Sequence, residues 1–214
     1  MMKRQAGFTL VELTLAMAIF TTALLVITGA FVSIVRLQQS ANSLRDTTQN
    51  SRYGLDDIVT NARSSYAAGV YSYPLTYNAG GSTVTTSFSQ LCITLPGGST
   101  LAYYVATDGA TGNNVLYKKI VTASQCATTQ QVDTAAEAIT SSGISVLQFN
   151  VTQISTAGAA AAPPALNLSL QLTNNANDLA GSQCQSAGNV QPYCSVTQLQ
   201  STVSLRGYQG GSNP

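Results

Sequence analysis

The sequence predicts an α+β protein: one long N-terminal helix packed on an antiparallel, β-rich globular head. Three observations predict it. Twenty-three uncharged residues lie between Glu12 and Arg36, enough for a bilayer-spanning helix, which takes about 20. Helical spacing then continues, because Leu37, Ala41, Leu44, Thr48, Leu55, Ile58 and Ala62 recur at three- and four-residue intervals, with a gap near Ser51. Near Tyr66 the pattern changes: Gly, Ser, Thr and Tyr rise, and short strand-like segments replace helical periodicity.

The helix is expected from residue 8 to about 66, roughly 90 Å at 1.5 Å per residue. Its second half is amphipathic, with Gln38, Asn42, Arg45, Asp46, Gln49, Arg52 and Asp56 opposite the apolar stripe. Such a stripe covers a core. Gly54 is a weak point at which a local bend is expected. Arg52, Asp56, Asp57 and Arg63 read as a solvated face with i,i+4 pairs, or alternatively as a subunit interface.

In the head, residues 66–86 read as a loop containing Pro74 and Gly80-Gly81. Strands are expected over 88–95, 101–107 and 115–122, forming a meander, and a short helical turn over 135–142. A strand over 144–154 pairs with one carrying Leu166, Leu168, Leu170 and Leu172, which alternate strictly with polar residues. A long small-residue loop ending at Pro163-Pro164 joins them. A polar segment, 174–192, precedes a last strand over 198–205, and the tail 209–214 is expected to be mobile.

Composition excludes several function classes. Only 8% of residues are charged and the net charge is +1, so the chain is too apolar for a disordered protein. Nothing in the total implies a basic nucleic-acid surface, and after the helix only Lys118, Lys119 and Arg206 are cationic. Histidine is absent, which removes the commonest general acid/base and metal ligand. No triad or phosphate loop occurs, so neither an enzyme, a cofactor nor a metal is expected. The segment from Asp108 to Asn114 has calcium-friendly oxygens but lacks EF-hand spacing, and reads as a hairpin turn. Asn150-Val151-Thr152 and Asn167-Leu168-Ser169 match glycosylation sequons but fall within strands. Tyr66, Tyr71, Tyr73 and Tyr77 form either a contact patch or loop aromatics packed on the head.

The four cysteines are Cys92, Cys126, Cys184 and Cys194. An even number downstream of an export-like segment points to disulfides, although four buried thiols are the alternative. Three pairings exist. Cys92–Cys126 with Cys184–Cys194 closes the most local loops, each worth roughly 3–4 kcal/mol in the chain-entropy model.

The N-terminus reads Met1-Met2-Lys3-Arg4-Gln5-Ala6-Gly7-Phe8-Thr9-Leu10-Val11-Glu12. Lys3 and Arg4 before the apolar run put the N-terminus in the cytoplasm and the remainder outside. A secretory signal peptide needs a shorter apolar core and a small-residue cleavage site; Gly29-Ala30 is only a modest candidate. A plain signal anchor fits the length. Neither reading accounts for Glu12, since a carboxylate in an apolar span is costly and demands a partner.

The segment from Gly7 to Glu12, with its basic leader and following apolar span, resembles the prepilin signal of type IV pilins and type II secretion pseudopilins. The resemblance implies cleavage between Gly7 and Phe8 by a prepilin peptidase, N-methylation of Phe8, and pairing of Glu12 with the N-terminal amine of a neighbouring subunit. Such pairing satisfies two charges that are costly to bury alone and sets the axial register of assembly. The organisation implied is a leader over 1–7, a transmembrane and filament-core helix over 8–36, an amphipathic half over 37–66 and a head over 67–214. The stretch from Asn50 to Ile58 and the closing Val-x-Leu-Arg strand resemble PilW-type minor pilins and J-type pseudopilins. The implied partners are other pilin subunits, the peptidase/methyltransferase, an inner-membrane assembly platform and the lipid bilayer. The implied location is the inner membrane, single-pass, with the head in the periplasm or outside the cell. A signal-anchored binding protein and a DNA-uptake pilin are the alternatives.

Overall fold

The computed structural model describes residues 9–65, 67–79, 82–128, 132–154, 165–174 and 195–205. Helix α1, Leu10–Ser64, is one continuous helix of 55 residues. It packs on an antiparallel β head, so the fold is α+β. Among the described residues eight strands follow: β1 Ala67–Ala79, β2 Ser82–Thr94, β3 Thr100–Thr107, β4 Asn114–Val121, β5 Glu137–Ala138, β6 Ser145–Ile154, β7 Ala165–Thr173 and β8 Val196–Ser204. They form a five-stranded sheet in the order β1-β2-β3-β4-β5 and a three-stranded sheet in the order β6-β7-β8.

The leucine alternation in β7 does what period-2 patterning requires: Leu166, Leu168, Leu170 and Leu172 are all fully buried. Both neighbours of β7 pair with it antiparallel. The two sequons lie opposite one another in this sheet, Asn150 against Ser169 and Asn167 against Thr152. The sheets are stitched by side chains, with the Val151 amide donating to Ser89 Oγ at 3.0 Å and the Asn114 amide to Ser145 Oγ at 3.2 Å.

Several expectations need correction. Residues 67–86 are not a loop. They belong to the β1–β2 hairpin, in which Ala79 faces Ser82; the Gly80-Gly81 pair between them lies outside the described residues. The Val, Tyr and Thr content of both arms favours strand. Pro74 is tolerated because β1 is the sheet edge, where a missing N–H leaves no ladder bond unmade. The helical turn expected over 135–142 is instead the short strand β5, which pairs with Tyr117 and Lys118 of β4. The helical element of this region comes earlier, as a 3-10 helix at Ala123–Ala127.

The third correction concerns the helix stripe. Leu55, Ile58 and Ala62 are buried as expected, but Leu37 is 69% and Leu44 51% exposed. The residues that face the head lower down are Ser43, Thr47 and Ser51 instead. Gly54 is not a flaw in α1, which runs through it without interruption. It is buried where the two sheets meet the helix: a Cβ there would lie 3.4 Å from Leu170 Cδ2, 3.5 Å from Leu116 Cδ2 and 3.8 Å from Ile139 Cγ2. Those are ordinary contact distances, so Gly54→Ala is expected to stabilise the fold by up to about 1 kcal/mol through helix propensity. Gly54→Leu overpacks the junction and is expected to cost about 1–3 kcal/mol. Urea denaturation of both variants in detergent checks the opposite signs.

Asp57 also departs from expectation. It turns inward rather than lying on a solvated face. Its carboxylate accepts from Tyr103 Oη at 2.8 Å and pairs with Lys118 Nζ at 3.3 Å, while Lys118 also reaches Glu137 at 3.3 Å. Burial alone pushes the Lys118 ammonium down, but the two carboxylates outweigh it and the net shift is upward. Asn61 Nδ2 completes the cluster by donating to Tyr103 Oη at 2.7 Å. Lys119 is paired with Asp133, so both described head lysines are in ion pairs; Arg206 lies outside the described residues.

Cys92 and Cys126 are joined by a disulfide across 34 positions of sequence. Cys184 and Cys194 lie outside the described residues. Gln90 Nε2 reinforces the clip, donating to the carbonyls of Cys126 at 2.8 Å and Thr128 at 3.2 Å. The tyrosine patch divides. Tyr71 is 39% exposed, whereas Tyr73 is buried, with its phenol accepting from the Val105 amide and donating to the Val105 carbonyl. It replaces a strand partner there, because β2 pairs with β3 only as far as Tyr103. Tyr66 is outside the described residues.

Candidate assembly and membrane-anchoring site

Thr9 starts the site. It is the N-cap of α1, with its Oγ1 accepting from the Glu12 amide at 3.3 Å. Glu12 Oε2 reaches back to the Thr9 amide at 3.2 Å and to Thr9 Oγ1 at 3.1 Å. This is a capping box, in which two otherwise unmatched helix-end donors are satisfied reciprocally. The carboxylate also sits at the positive end of the helix dipole. Glu12 therefore has a local partner in Thr9, contrary to the expectation of an acid unpaired within its own chain. The signal was legible as Thr9-Leu10-Val11-Glu12, the Thr-x-x-Glu spacing of a capping box. Glu12 Oε1 has no partner among the described residues. Gly7 and Phe8 lie outside them.

Beyond the cap, every residue from Thr9 to Ile34 is exposed, including Leu13, Phe20, Leu25 and Phe31. No described residue of the head covers this segment. The helix is long and apolar enough to cross a membrane. From Glu12 to Arg36 it rises about 36 Å, against roughly 30 Å of hydrocarbon in a bilayer.

The hydroxyls in this segment fit an apolar surrounding. Thr14 donates to the Val11 carbonyl, Thr21 to Met17, Thr22 to Ile19, Thr28 to Leu24 and Ser33 to Gly29. Each polar side chain is thus satisfied within its own helix, which removes most of the penalty of leaving water.

The upper end of α1 is held by the head. The helix lies chiefly along β8 and β7, with Ser43 Oγ 2.8 Å from Ser195 Oγ and Thr47 Oγ1 3.0 Å from Thr197 Oγ1. Leu55, Ile58 and Ala62 enter the common core. The arrangement is a lever, with an uncovered apolar arm at one end and a rigid β head at the other.

The loop from Asp108 to Asn114 is a turn, as its Asp-Gly start implies. Gly112 has φ +73°, and the Asp108 carboxylate accepts from Thr111 Oγ1 at 2.7 Å and the Ala110 amide at 3.3 Å. These bonds hold the Asp108 carboxyl below the usual carboxylate range. Among the described residues, no group of three or more metal-ligating side chains converges.

Residues 2–28 match the family model described as the prokaryotic N-terminal methylation motif. The match spans the basic residues before α1, the Thr9–Glu12 cap and most of the apolar run, and it supports a type IV pilin-like, N-terminally processed subunit. With the uncovered helix it points to a membrane-anchored protein. No curated protein and no solved structure matches the chain significantly.

Proposed function

We propose that this chain is a minor pilin or pseudopilin: a non-enzymatic structural subunit that is inserted in the inner membrane, cut between Gly7 and Phe8, methylated at Phe8 and built into a helical filament. The observation that carries the reading is the coincidence, in one helix, of the methylation motif with an apolar arm that the head leaves wholly uncovered. On this reading residues 1–7 are the leader, 8–36 the membrane and filament-core segment, 37–66 the amphipathic half and 67–214 the head. The N-terminus starts in the cytoplasm, and the head lies in the periplasm or on the assembled fibre. Its partners are other pilin-type subunits, the peptidase and an assembly platform. The minor-pilin assignment, of PilW or J type, rests on the 50–58 helix and the closing strand.

The capping box supports a defined role for Glu12. Thr9 occupies Oε2 and fixes the carboxylate at the helix start, while Oε1 stays available for the amine of a neighbouring Phe8. Cleavage creates that amine and removes Lys3 and Arg4, the hydrated anchor on the cytoplasmic side.

Mass spectrometry of the mature protein is expected to find methylated Phe8 as the first residue. Intact Met1, or a terminus near Ala30, overturns the reading in favour of a signal-anchored protein or a secreted one. Glu12→Gln keeps an acceptor for Thr9 but not the charge. It is expected to leave cleavage intact and to weaken assembly by about 3 kcal/mol or more, the usual effect of breaking a desolvated ion pair. Wild-type amounts of sheared filament from this variant rule out the charge pairing.

A further inference from the structure

The joint between α1 and the head changes chemistry along its length. In its upper part, Leu55, Ile58 and Ala62 are buried against the core. In its lower part, the head-facing side chains of α1 are Ser43, Thr47 and Ser51, and at the rim Asn50 Oδ1 accepts from the Ser141 amide at 2.9 Å, a further polar contact that must be exchanged for water when the seam opens. The β8 segment changes in the same way, from Ser195, just before the strand, and Thr197 at one end to Val203 and, just after the strand, Leu205 at the other, the last two 2% and 0% exposed. The hydroxyls are matched to one another. Thr47 Oγ1 lies 3.2 Å from Ser195 Oγ and 3.0 Å from Thr197 Oγ1, and Ser43 Oγ lies 2.8 Å from Ser195 Oγ. Asn174 closes the end of the seam, donating to Ser43 and accepting from the Ser195 amide at 2.9 Å.

These two halves respond differently to water. A hydroxyl pair exchanges its partner for water at little net change, whereas exposing leucine and isoleucine forfeits the hydrophobic term outright. Ser51 adds a bias toward opening. It is fully buried, and its Oγ has no partner among the described residues, so hydration supplies the bond that the closed seam withholds.

We infer that the lower seam, from Ser43 to Ser51 against Ser195 and Thr197, is a hinge that opens to water while the Leu55–Ala62 end stays closed. The helix then swings against the head by one to two turns of freed contact, with neither the helix nor the sheet unfolding. Local opening of this kind belongs to regions poor in buried apolar contacts. Its effect is to decouple the orientation of the head from that of the apolar arm. The inference is independent of what the arm is embedded in.

Pulsed electron–electron distance measurements on the full chain in nanodiscs test it, with spin labels on unnatural residues so that the native cysteines are untouched. One pair is placed at Arg45 and Gln198, the other at Arg63 and Thr202, all four exposed. The first pair is expected to show a long-distance population on the order of 10%, within the usual range for a minor state, and the second a single narrow distance. Combining Thr47→Val with Thr197→Val makes the lower seam apolar and is expected to remove the long-distance population. Equal widths for the two wild-type pairs overturn the hinge, as does a long-distance population that persists or grows in the valine variant while the Arg63–Thr202 distance is unchanged.

Discussion

Replacing Ile58 by Ala is expected to destabilise the protein by about 3 kcal/mol, within the 2–5 kcal/mol typical of truncating a fully buried aliphatic side chain. Ile58 has no exposed surface. With Leu55 it supplies the large, fully apolar anchor of α1, because the remaining buried positions of the helix are Thr47, Ser51, Gly54 and Ala62. The cavity left behind is flanked by strands already tied to each other, so it collapses little. Leu44→Ala is the informative control. Leu44 is equally apolar and shares the helical spacing, yet it is half exposed, so its removal is expected to change stability by less than about 0.5 kcal/mol. Urea unfolding of the two variants in detergent, followed by near-ultraviolet tyrosine signals from the head, separates them. Equal losses contradict the orientation of α1 described above.

The second large effect is expected from the disulfide. Combining Cys92→Ala with Cys126→Ala is expected to cost about 3–4 kcal/mol, from the entropy of a loop closed across 34 positions in the chain-entropy model. For a chain of this size that is a fall in Tm of about 10 °C. Both sulfurs are buried, Cys92 at 4% and Cys126 at 3% exposure, so reductant is expected to act only after local opening. Gln90 holds the same segment by two hydrogen bonds, and the 3-10 helix is therefore expected to remain attached but to exchange its amides faster. A thermal shift under about 2 °C, the lower limit for a 1 kcal/mol change, shows that Gln90 and packing suffice without the bond.

How far the sequence was legible depends on the range of the interaction behind each element. The Leu166–Leu172 alternation and the strands around Tyr103 and Leu116 were read correctly, because burying one face imposes a local period of two. The β1–β2 hairpin was missed because Pro74 and the paired glycines are strong loop signals. A proline at a sheet edge breaks no ladder, and whether a strand is at an edge is a property of the whole sheet. Strand β5 was read as a helical turn because two residues carry no period; only pairing with Tyr117 and Lys118 makes them a strand. At the candidate site, Lys3, Arg4, Gly7, Phe8 and Glu12 are legible because they are adjacent in sequence. The role of Thr9 is carried in the sequence only by its spacing to Glu12, and an acid in an apolar span points first to a partner outside the chain.

The fold class, the long apolar run and the prepilin-like motif are legible in the sequence alone, since hydropathy and short motifs act over neighbouring residues. Only the tertiary structure decided which face of α1 meets the head. Two stripes compete there, one carrying Leu37 and Leu44 and the other Ser43, Thr47 and Ser51, and helical periodicity favours the leucines. The choice falls to the hydroxyls because β8 brings Ser195 and Thr197 to that height, from about 150 residues away in the chain. Ser43 and Thr47 are satisfied by the hydroxyls facing them, while the leucines are left outside. Other distant contacts set Gly54 against Leu116 of β4 and Leu170 of β7 and make Asp57 an internal partner of Lys118 and Tyr103.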